Sequence, residues 1–314
     1  MLDVRRLRLL RELAQRGTIA AVAEALAYTP SAVSQQLSAL EREAGVPLLE
    51  RTGRSVRLTP AALRLADHAE AILAVLEQAS AELADGRTAL SGPLRIGAFA
   101  TAVRTILSPA LVALSREHPG LELFVSELDP ANTPAALRAE SLDIALVQEY
   151  DYVPTATETG LDTEPFLEET VYLAARSTEP LAAHRRSSWI AGTPGTLCHL
   201  MTVRACEAAG FTPHIRHHSD DFGTVLALVA AGQGVAFVPL LGALDIPDEV
   251  ILTALPTRRR TRLAYRRGTG SHPAIAAARG ALHTACSTIP AIKAGRQPHG
   301  RGAARRRHDL FDKE

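Results

Sequence analysis

Residues 18–44 read TIAAVAEALAYTPSAVSQQLSALEREA. A short apolar-periodic run, a break at Tyr28-Thr29 and a second run opening at Pro30 predict two helices joined by a tight turn. In the second run Val33, Leu37, Leu40 and Ala44 recur at helical spacing and define a buried side. Ser31, Ser34, Gln35 and Ser38 then share the opposite side. Thr29 is placed to cap this helix through its hydroxyl, and Pro30 fits the first helical position, where its missing N–H costs nothing. An ordinary solvated helix would carry Lys and Glu outside. This face is short, uncharged and rich in hydrogen-bonding groups, which suits a helix reading base edges in a major groove. On pattern alone a helical hairpin in an all-α core fits as well.

The flanks narrow that choice. Upstream, Asp3 to Gln15 predicts a helix with Val4, Leu7, Leu10 and Leu13 inward and Gly17 ending it. Downstream, VPLLERTGRSVRLT predicts a β-hairpin with a basic tip at residues 51–55, where Arg51 and Arg54 can meet phosphates or a minor groove. Residues 1–59 hold nine arginines against six carboxylates although the whole chain is neutral, a mild excess in keeping with phosphate contacts.

From Pro60 to about Gly86 an alanine-rich stretch places Leu63, Ala66, Ala69, Leu73, Leu76, Ser80 and Leu83 at steps of three and four. That spacing predicts a long helix whose narrow seam meets a partner helix, with Leu63, Leu73, Leu76 and Leu83 as dimerisation residues, in preference to packing against the chain's own globule. Leu90-Ser91-Gly92-Pro93 marks a boundary. Beyond it, strands LRIGAFA, LELFVSEL and LDIALV alternate with helices over 103–116 and 133–140, predicting a mostly parallel sheet covered on both faces. A second unit over 164–263 contains TVYLAA, WIAG, a helix over 200–209, PHIRHH, FGTVLALVAAG and VAFVP. RLAYRR and PAIAAARGALHTAC return to the first unit. Two lobes crossed more than once by the chain make a cleft.

Composition sets the outer limits. A chain of 314 residues with 46 % apolar content supports two or three domains with sizeable cores. It has no uncharged apolar run of about 18 residues, and its N-terminus carries arginines at helical intervals, so no membrane partner and a cytoplasmic location are expected. Cys198, Cys206 and Cys286 give no disulfide framework and are expected to be reduced. His214, His217 and His218 invite a metal reading. On a strand, however, His217 would point away from the other two, so no metal site is expected. AGQGVAFVP lacks the G-x-G-x-x-G spacing, and no G-x-S-x-G, H-E-x-x-H or P-loop is present. No catalytic residues and no cofactor are expected. Residues 292–314 are basic and aperiodic, predicting a disordered tail whose Arg305-Arg306-Arg307 cluster is solvated.

Taken together these residues resemble a LysR-type transcriptional regulator from Met1 to about Ile289. The specific part is RGTIAAVAEALAYTPSAVSQQLSALEREAGVPLLERTGRSVRLTPA, which follows the family's winged helix-turn-helix pattern nearly position by position; SLDIALV, AAGF and AAGQGVAFVP match more loosely. The resemblance implies an α/β protein with a winged helix-turn-helix over 1–59 and a linker helix over 60–89. A two-lobed domain similar to periplasmic binding proteins follows over 90–291, with lobe I near 92–163 and 264–291 and lobe II near 164–263. It implies double-stranded promoter DNA and a small-molecule effector as partners, a homodimer or homotetramer, and RNA polymerase as a further candidate partner. Carried over by position, DNA contacts fall on Pro30, Ser31, Ser34, Gln35 and Arg54; the helix face and the basic tip add Thr29, Ser38 and Arg51. Relatives often have glutamine at the position of Pro30 and arginine at that of Gln35; a glutamine amide pairs with adenine where arginine favours guanine, so their operators cannot be borrowed.

The resemblance puts the effector between the lobes, near Ala100, Thr101, Gln148, Thr193, Asp220 and Phe222. Thr101 fits a plain helix cap equally well. Helix N-termini there favour anions, while Asp220 and Asp221 oppose one, leaving a neutral or cationic ligand open. Peroxide-sensing relatives use a cysteine pair in this region, which makes Cys198 and Cys206 worth locating, although inert buried thiols are the expectation. A competing reading makes the two-lobed region a binding protein or enzyme whose N-terminal helices only dimerise, and another makes the chain an architectural DNA binder without effector.

Overall fold

The N-terminal helices start and stop where side chains can satisfy backbone groups. In this computed structural model, which describes residues 1–52, 55–85, 89–154 and 158–289, α1 spans Val4–Arg16, α2 Ile19–Ala25 and α3 Pro30–Ala44. Asp3, Thr18 and Thr29 cap them by accepting from Arg5 and Arg6, Ala21 and Ala32 respectively, and Gly17 and Gly45 close α1 and α3 in the left-handed region. Strands β1 (Leu49–Thr52) and β2 (Ser55–Leu58) pair antiparallel as the wing. Glu41 of α3 fastens the wing by accepting from the N–H groups of Leu48 and Leu49, each at 2.9 Å.

Leu7, Leu10, Leu13, Val22, Val33, Leu37, Leu40 and Leu48 form one core with Ala62, Ala66 and Ala69 of α4 (Pro60–Asp85). Val4, expected inward, is exposed at 39 %, and Leu9 is buried in addition. Beneath the core Glu12, with no exposure, accepts from Arg11 and Arg16 at 2.7 Å each. Burial would raise its carboxyl pKa, but the hydrogen bond from Arg16 and the charges of both arginines outweigh that and hold it low. The pair's stabilisation is therefore present at neutral pH and is lost as pH falls through the depressed value.

The expected seam on α4 divides in two. Ala66 and Ala69 are spent within the chain against α1, and Leu73 is half-buried. Ile72, Val75, Leu76 and Leu83 stay exposed at 40, 65, 45 and 83 %. Leu63 is exposed too, yet it lies nine residues, about two and a half turns, before Ile72 and so on the opposite side of the helix. It drops out of the stripe.

Beyond α4, the chain continues through β3 (Ser91–Ala98), α5 (Ala100–Ala102), a π-helical turn (Val103–Leu107), α6 (Ser108–Glu117), β4 (Gly120–Glu127), α7 (Thr133–Arg138) and β5 (Ile144–Tyr150). Then come β6 (Leu161–Ala175), β7 (Ser188–Ala191), α8 (Leu197–Ala208), β8 (His214–His218), α9 (Phe222–Ala230), β9 (Val235–Pro239), β10 (Ile251–Arg266) and α10 (Pro273–Thr288). The strands form one sheet in the order β4-β3-β5-β10-β6-β9-β7-β8.

Expectation and structure differ in this sheet. Each lobe has a parallel trio, β4-β3-β5 and β9-β7-β8, but β10 pairs antiparallel with both β5 and β6, and β6 with β9. The sheet is mixed because the chain crosses between lobes along two long strands, not through helical crossovers. The expected lobe limits at 163/164 and 263/264 fall inside β6 and β10.

Lobe I also carries the N-terminal unit. Arg8 pairs with Glu140 at 2.9 Å, and Arg266 with Glu77 of α4 at 3.0 Å. Gly268 (φ +89°) lies so close to α4 that a Cβ there would collide with the Ala74 carbonyl oxygen. Only glycine permits that approach. Arg54 and residues 292–314 lie outside the described residues.

Candidate nucleic-acid interface and ligand cleft

Burial of Val33, Leu37 and Leu40, each at 1 % exposure or less, fixes the rotation of α3. Thr29, Pro30, Ser31 and Gln35 are thereby exposed, with Ser34 and Ser38 half-exposed beside them. The Thr29 and Ser31 hydroxyls lie 3.1 Å apart. Arg51 belongs to β1.

Counting arginines overstated the charge free to meet phosphates. Arg6 pairs with Glu43, Arg8 with Glu140, and Arg11 and Arg16 with Glu12. Arg42, in the last turn of α3, and Arg57, on β2, are exposed and form no ion pair among the described residues; sequence analysis did not single out either one.

Between the lobes lies a cavity of 250 Å³ whose wall includes Ala100, Thr101, Gln148, Asp220 and Phe222. Thr193 is absent from this wall. Its N–H and hydroxyl both donate to Asp220, at 2.9 and 2.5 Å, so it orients that carboxylate from behind. Thr101 is not a cap, because Phe99 holds the N-cap position; its hydroxyl instead accepts from Arg259 at 3.1 Å. A second cavity of 390 Å³, lined by Pro134, Leu137, Val147 and Ala264, lies under α7 and shares Pro130 and Gln148 with the first.

Arg259 is the residue that sequence analysis missed. It is 1 % exposed, and its guanidinium donates to Glu169 at 2.7 Å, Gln148 at 3.0 Å and Thr101 while lying over the Phe99 ring. Burial alone would favour the neutral form, but the adjoining Glu169 keeps it charged. Glu169 in turn accepts from the Leu241 N–H at 2.7 Å. This network ties β5, β6, β10 and α5 together at the floor of the cleft, where the lobes join.

Cys198 lies on the same wall, 3.5 Å from the Tyr150 hydroxyl. Burial raises its thiol pKa, and the Tyr150 hydrogen bond and Arg259 only partly oppose that. Cys206 is fully buried and pushed up to about 12. Both belong to α8, eight residues apart, which is about 12 Å of helical rise, whereas a disulfide needs Cα atoms within roughly 7 Å. On β8 His217 is half-buried, while His214 and His218 are exposed and His218 bonds the Gly192 carbonyl at 3.0 Å.

Comparison with known proteins gives two family matches: "Bacterial regulatory helix-turn-helix protein, lysR family" over residues 4–63 and "LysR substrate binding domain" over 87–287. The chain is 31 % identical to a probable hydrogen peroxide-inducible genes activator of Mycobacterium avium, over 72 % of this chain and 74 % of that protein. It is 27 % identical to the transcriptional dual regulator GltC of Bacillus subtilis, over 76 % and 81 %. Among solved structures, a cysteine mutant of Corynebacterium glutamicum OxyR shares the fold, with TM-score 0.56 and 24 % identity over 94 % of this chain and 95 % of that one.

Proposed function

The chain belongs to the LysR family of bacterial transcriptional regulators, and from that premise we propose that α3 reads promoter DNA, α4 pairs two protomers, and the 250 Å³ inter-lobe cavity holds the effector. The observation that carries this reading is the division of α3 into a buried apolar side and an exposed hydroxyl-and-amide side. Ser31, Ser34, Gln35 and Ser38 face base edges, Thr29 and Pro30 set the helix start against the backbone, and Arg42 and Arg57 join the wing in meeting phosphates.

Two copies pair through the stripe Ile72, Val75, Leu76 and Leu83, left uncovered at 40 to 83 % exposure. Two-fold pairing presents two copies of α3 and calls for a palindromic operator. Further pairing to a tetramer, and a cytoplasmic location, belong to the same proposal. No helix among the described residues is long and apolar enough to cross a membrane.

Coupling runs through lobe I. The Arg8–Glu140 and Arg266–Glu77 contacts hold α1 and α4 to it, so a change in lobe angle reaches the DNA-binding unit. An effector that binds one lobe arrangement better than the other shifts the population of that arrangement, and with it the spacing of the reading helices and polymerase access.

Selection of sites from random duplexes tests DNA reading and pairing together. Full-length protein should enrich a two-fold symmetric motif. Val75→Glu, which puts a charge on a stripe residue 65 % exposed in the monomer, should weaken the dimer about a hundredfold in sedimentation equilibrium, at roughly 1.5 kcal/mol per protomer. It should also reduce the motif to a half-site. An unchanged dimer would move the pairing surface elsewhere.

A further inference from the structure

We propose that the ligand of the inter-lobe cavity is a small organic cation carrying an amine or guanidinium; this rests on the reading of that cavity as the effector site. Three carboxylates, Glu127, Asp129 and Asp220, stand on its wall, and Arg259 is the one Lys or Arg among the lining residues. Arg259 is already committed. Its Nε donates to Glu169, its Nη1 to Gln148 and its Nη2 to Thr101, and Phe99 covers its face at 4.8 Å. The Arg259–Glu169 pair cancels, leaving the three wall carboxylates as the net charge. Asp129 accepts from the Ala131 N–H at 2.9 Å and Asp220 from Thr193, both neutral donors. Among the described residues none of the three forms an ion pair with a basic side chain. Asp220 and Asp129 both act on the Cys198 thiol as negative charges, opposing its ionisation.

An anion finds little here. Among the described lining residues it has no free guanidinium, and both helices of lobe II that begin at the cleft carry a capping side chain, Thr196 accepting from the His199 N–H at 3.3 Å and Asp221 from the Thr224 N–H at 2.7 Å; the start of α5, where Phe99 offers no side-chain cap, is set against three wall carboxylates. A bare metal ion fits no better, because among the described residues no three His, Cys, Asp or Glu side chains converge closely enough to hold one. Carboxylates spread around 250 Å³ suit an extended cation instead. They also supply a reason for closure. Glu127 and Asp129 belong to lobe I and Asp220 to lobe II, so bringing the walls together without a ligand sets like charges against each other, and a cation between them removes that repulsion. The ligand therefore binds the closed arrangement better, as a population shift requires.

Cys198 reports the charge of this wall directly, whatever the natural ligand is. The full-length protein is treated with the trimethylammonium-ethyl and the sulfonato-ethyl methanethiosulfonates. Modification of Cys198 is followed by peptide mass, with Cys198→Ser as control, and each rate is divided by that of 2-mercaptoethanol. The normalised ratio should favour the cationic reagent by about tenfold or more at low salt, shrink as salt rises, and fall toward unity in Asp129→Asn/Asp220→Asn. Calorimetry with 1,4-diaminobutane, agmatine and succinate gives a second reading: the two cations should bind, more weakly in the Asn double variant and in Ala100→Trp, which fills the cavity. Equal or anion-favouring modification, or a failure of both cations to bind, overturns the proposal. Succinate binding abolished by Ala100→Trp overturns the charge but leaves the cavity as the ligand site. Binding indifferent to Ala100→Trp places the ligand elsewhere and overturns the reading on which the proposal rests.

Discussion

Protein carrying Ser34→Ala and Gln35→Ala together should lose at least about thirtyfold in affinity for its operator while retaining its affinity for unrelated duplex. Each good base contact is worth about 1–3 kcal/mol, and tenfold in affinity is about 1.4 kcal/mol, so two lost contacts remove most of the discrimination. Non-specific binding persists because it comes from phosphate contacts, which neither side chain supplies. The fold should be untouched. Both positions are on the open side of α3, opposite Val33, Leu37 and Leu40, and alanine is a strong helix former. Fluorescence anisotropy with operator and scrambled duplexes across a salt series, alongside thermal melting, checks both halves of the expectation. Equal loss on both duplexes would mean that these residues position the backbone and do not read bases.

Glu169→Ala should be the most destabilising single change in the two-lobed domain. It strands the Arg259 guanidinium, 1 % exposed, and leaves the Leu241 N–H without its acceptor. Breaking a buried ion pair from one side costs about 3–5 kcal/mol, or roughly 10 °C in melting temperature for a domain of this size. Glu169→Leu combined with Arg259→Met removes both charges and should recover much of that loss, since a well-packed apolar pair often matches a buried ionic one. Calorimetric melting of wild type, single and double variants gives the answer. A double variant no more stable than the single would show that the remaining contacts, to Gln148, Thr101 and Phe99, dominate the network.

That ion pair also shows why the sequence was readable in some places and opaque in others. Helix α3 was legible because every signal agreed: cap, proline at the first position, apolar period and closing glycine all belong to one contiguous segment. The wall residues Ala100, Thr101, Gln148, Asp220 and Phe222 were reachable only through the family resemblance, which supplied the two-lobed fold and the place of the cleft within it. Arg259 and Glu169 were not. They sit in LPTRRRT and PFLEET, where a proline and a run of charge imitate a loop, yet each lies within a long strand and they face each other across the β6–β10 ladder. Charge that is neutralised across strands far apart in sequence looks solvated until the partner is known. The mixed sheet went unseen because TVYLAA and RLAYRR were read as short strands with no direction assigned, whereas β6 and β10 are long strands that pair antiparallel along their length. The α4 seam divided for a different reason. Its apolar spacing was real, but small alanines turned to α1 and large side chains to the open stripe, and a heptad pattern does not say which partner each residue meets.

The most direct measurement is a change of base preference. Selection from random duplexes should be run with wild-type protein and with Gln35→Arg, which swaps an amide that pairs with adenine for a guanidinium that pairs with guanine. With Gln35 against a base edge, one symmetric pair of positions in the enriched motif changes from adenine to guanine while the rest of the motif stays as it was. An identical motif from both proteins, at comparable affinity, would contradict the placement of this face of α3 against the bases.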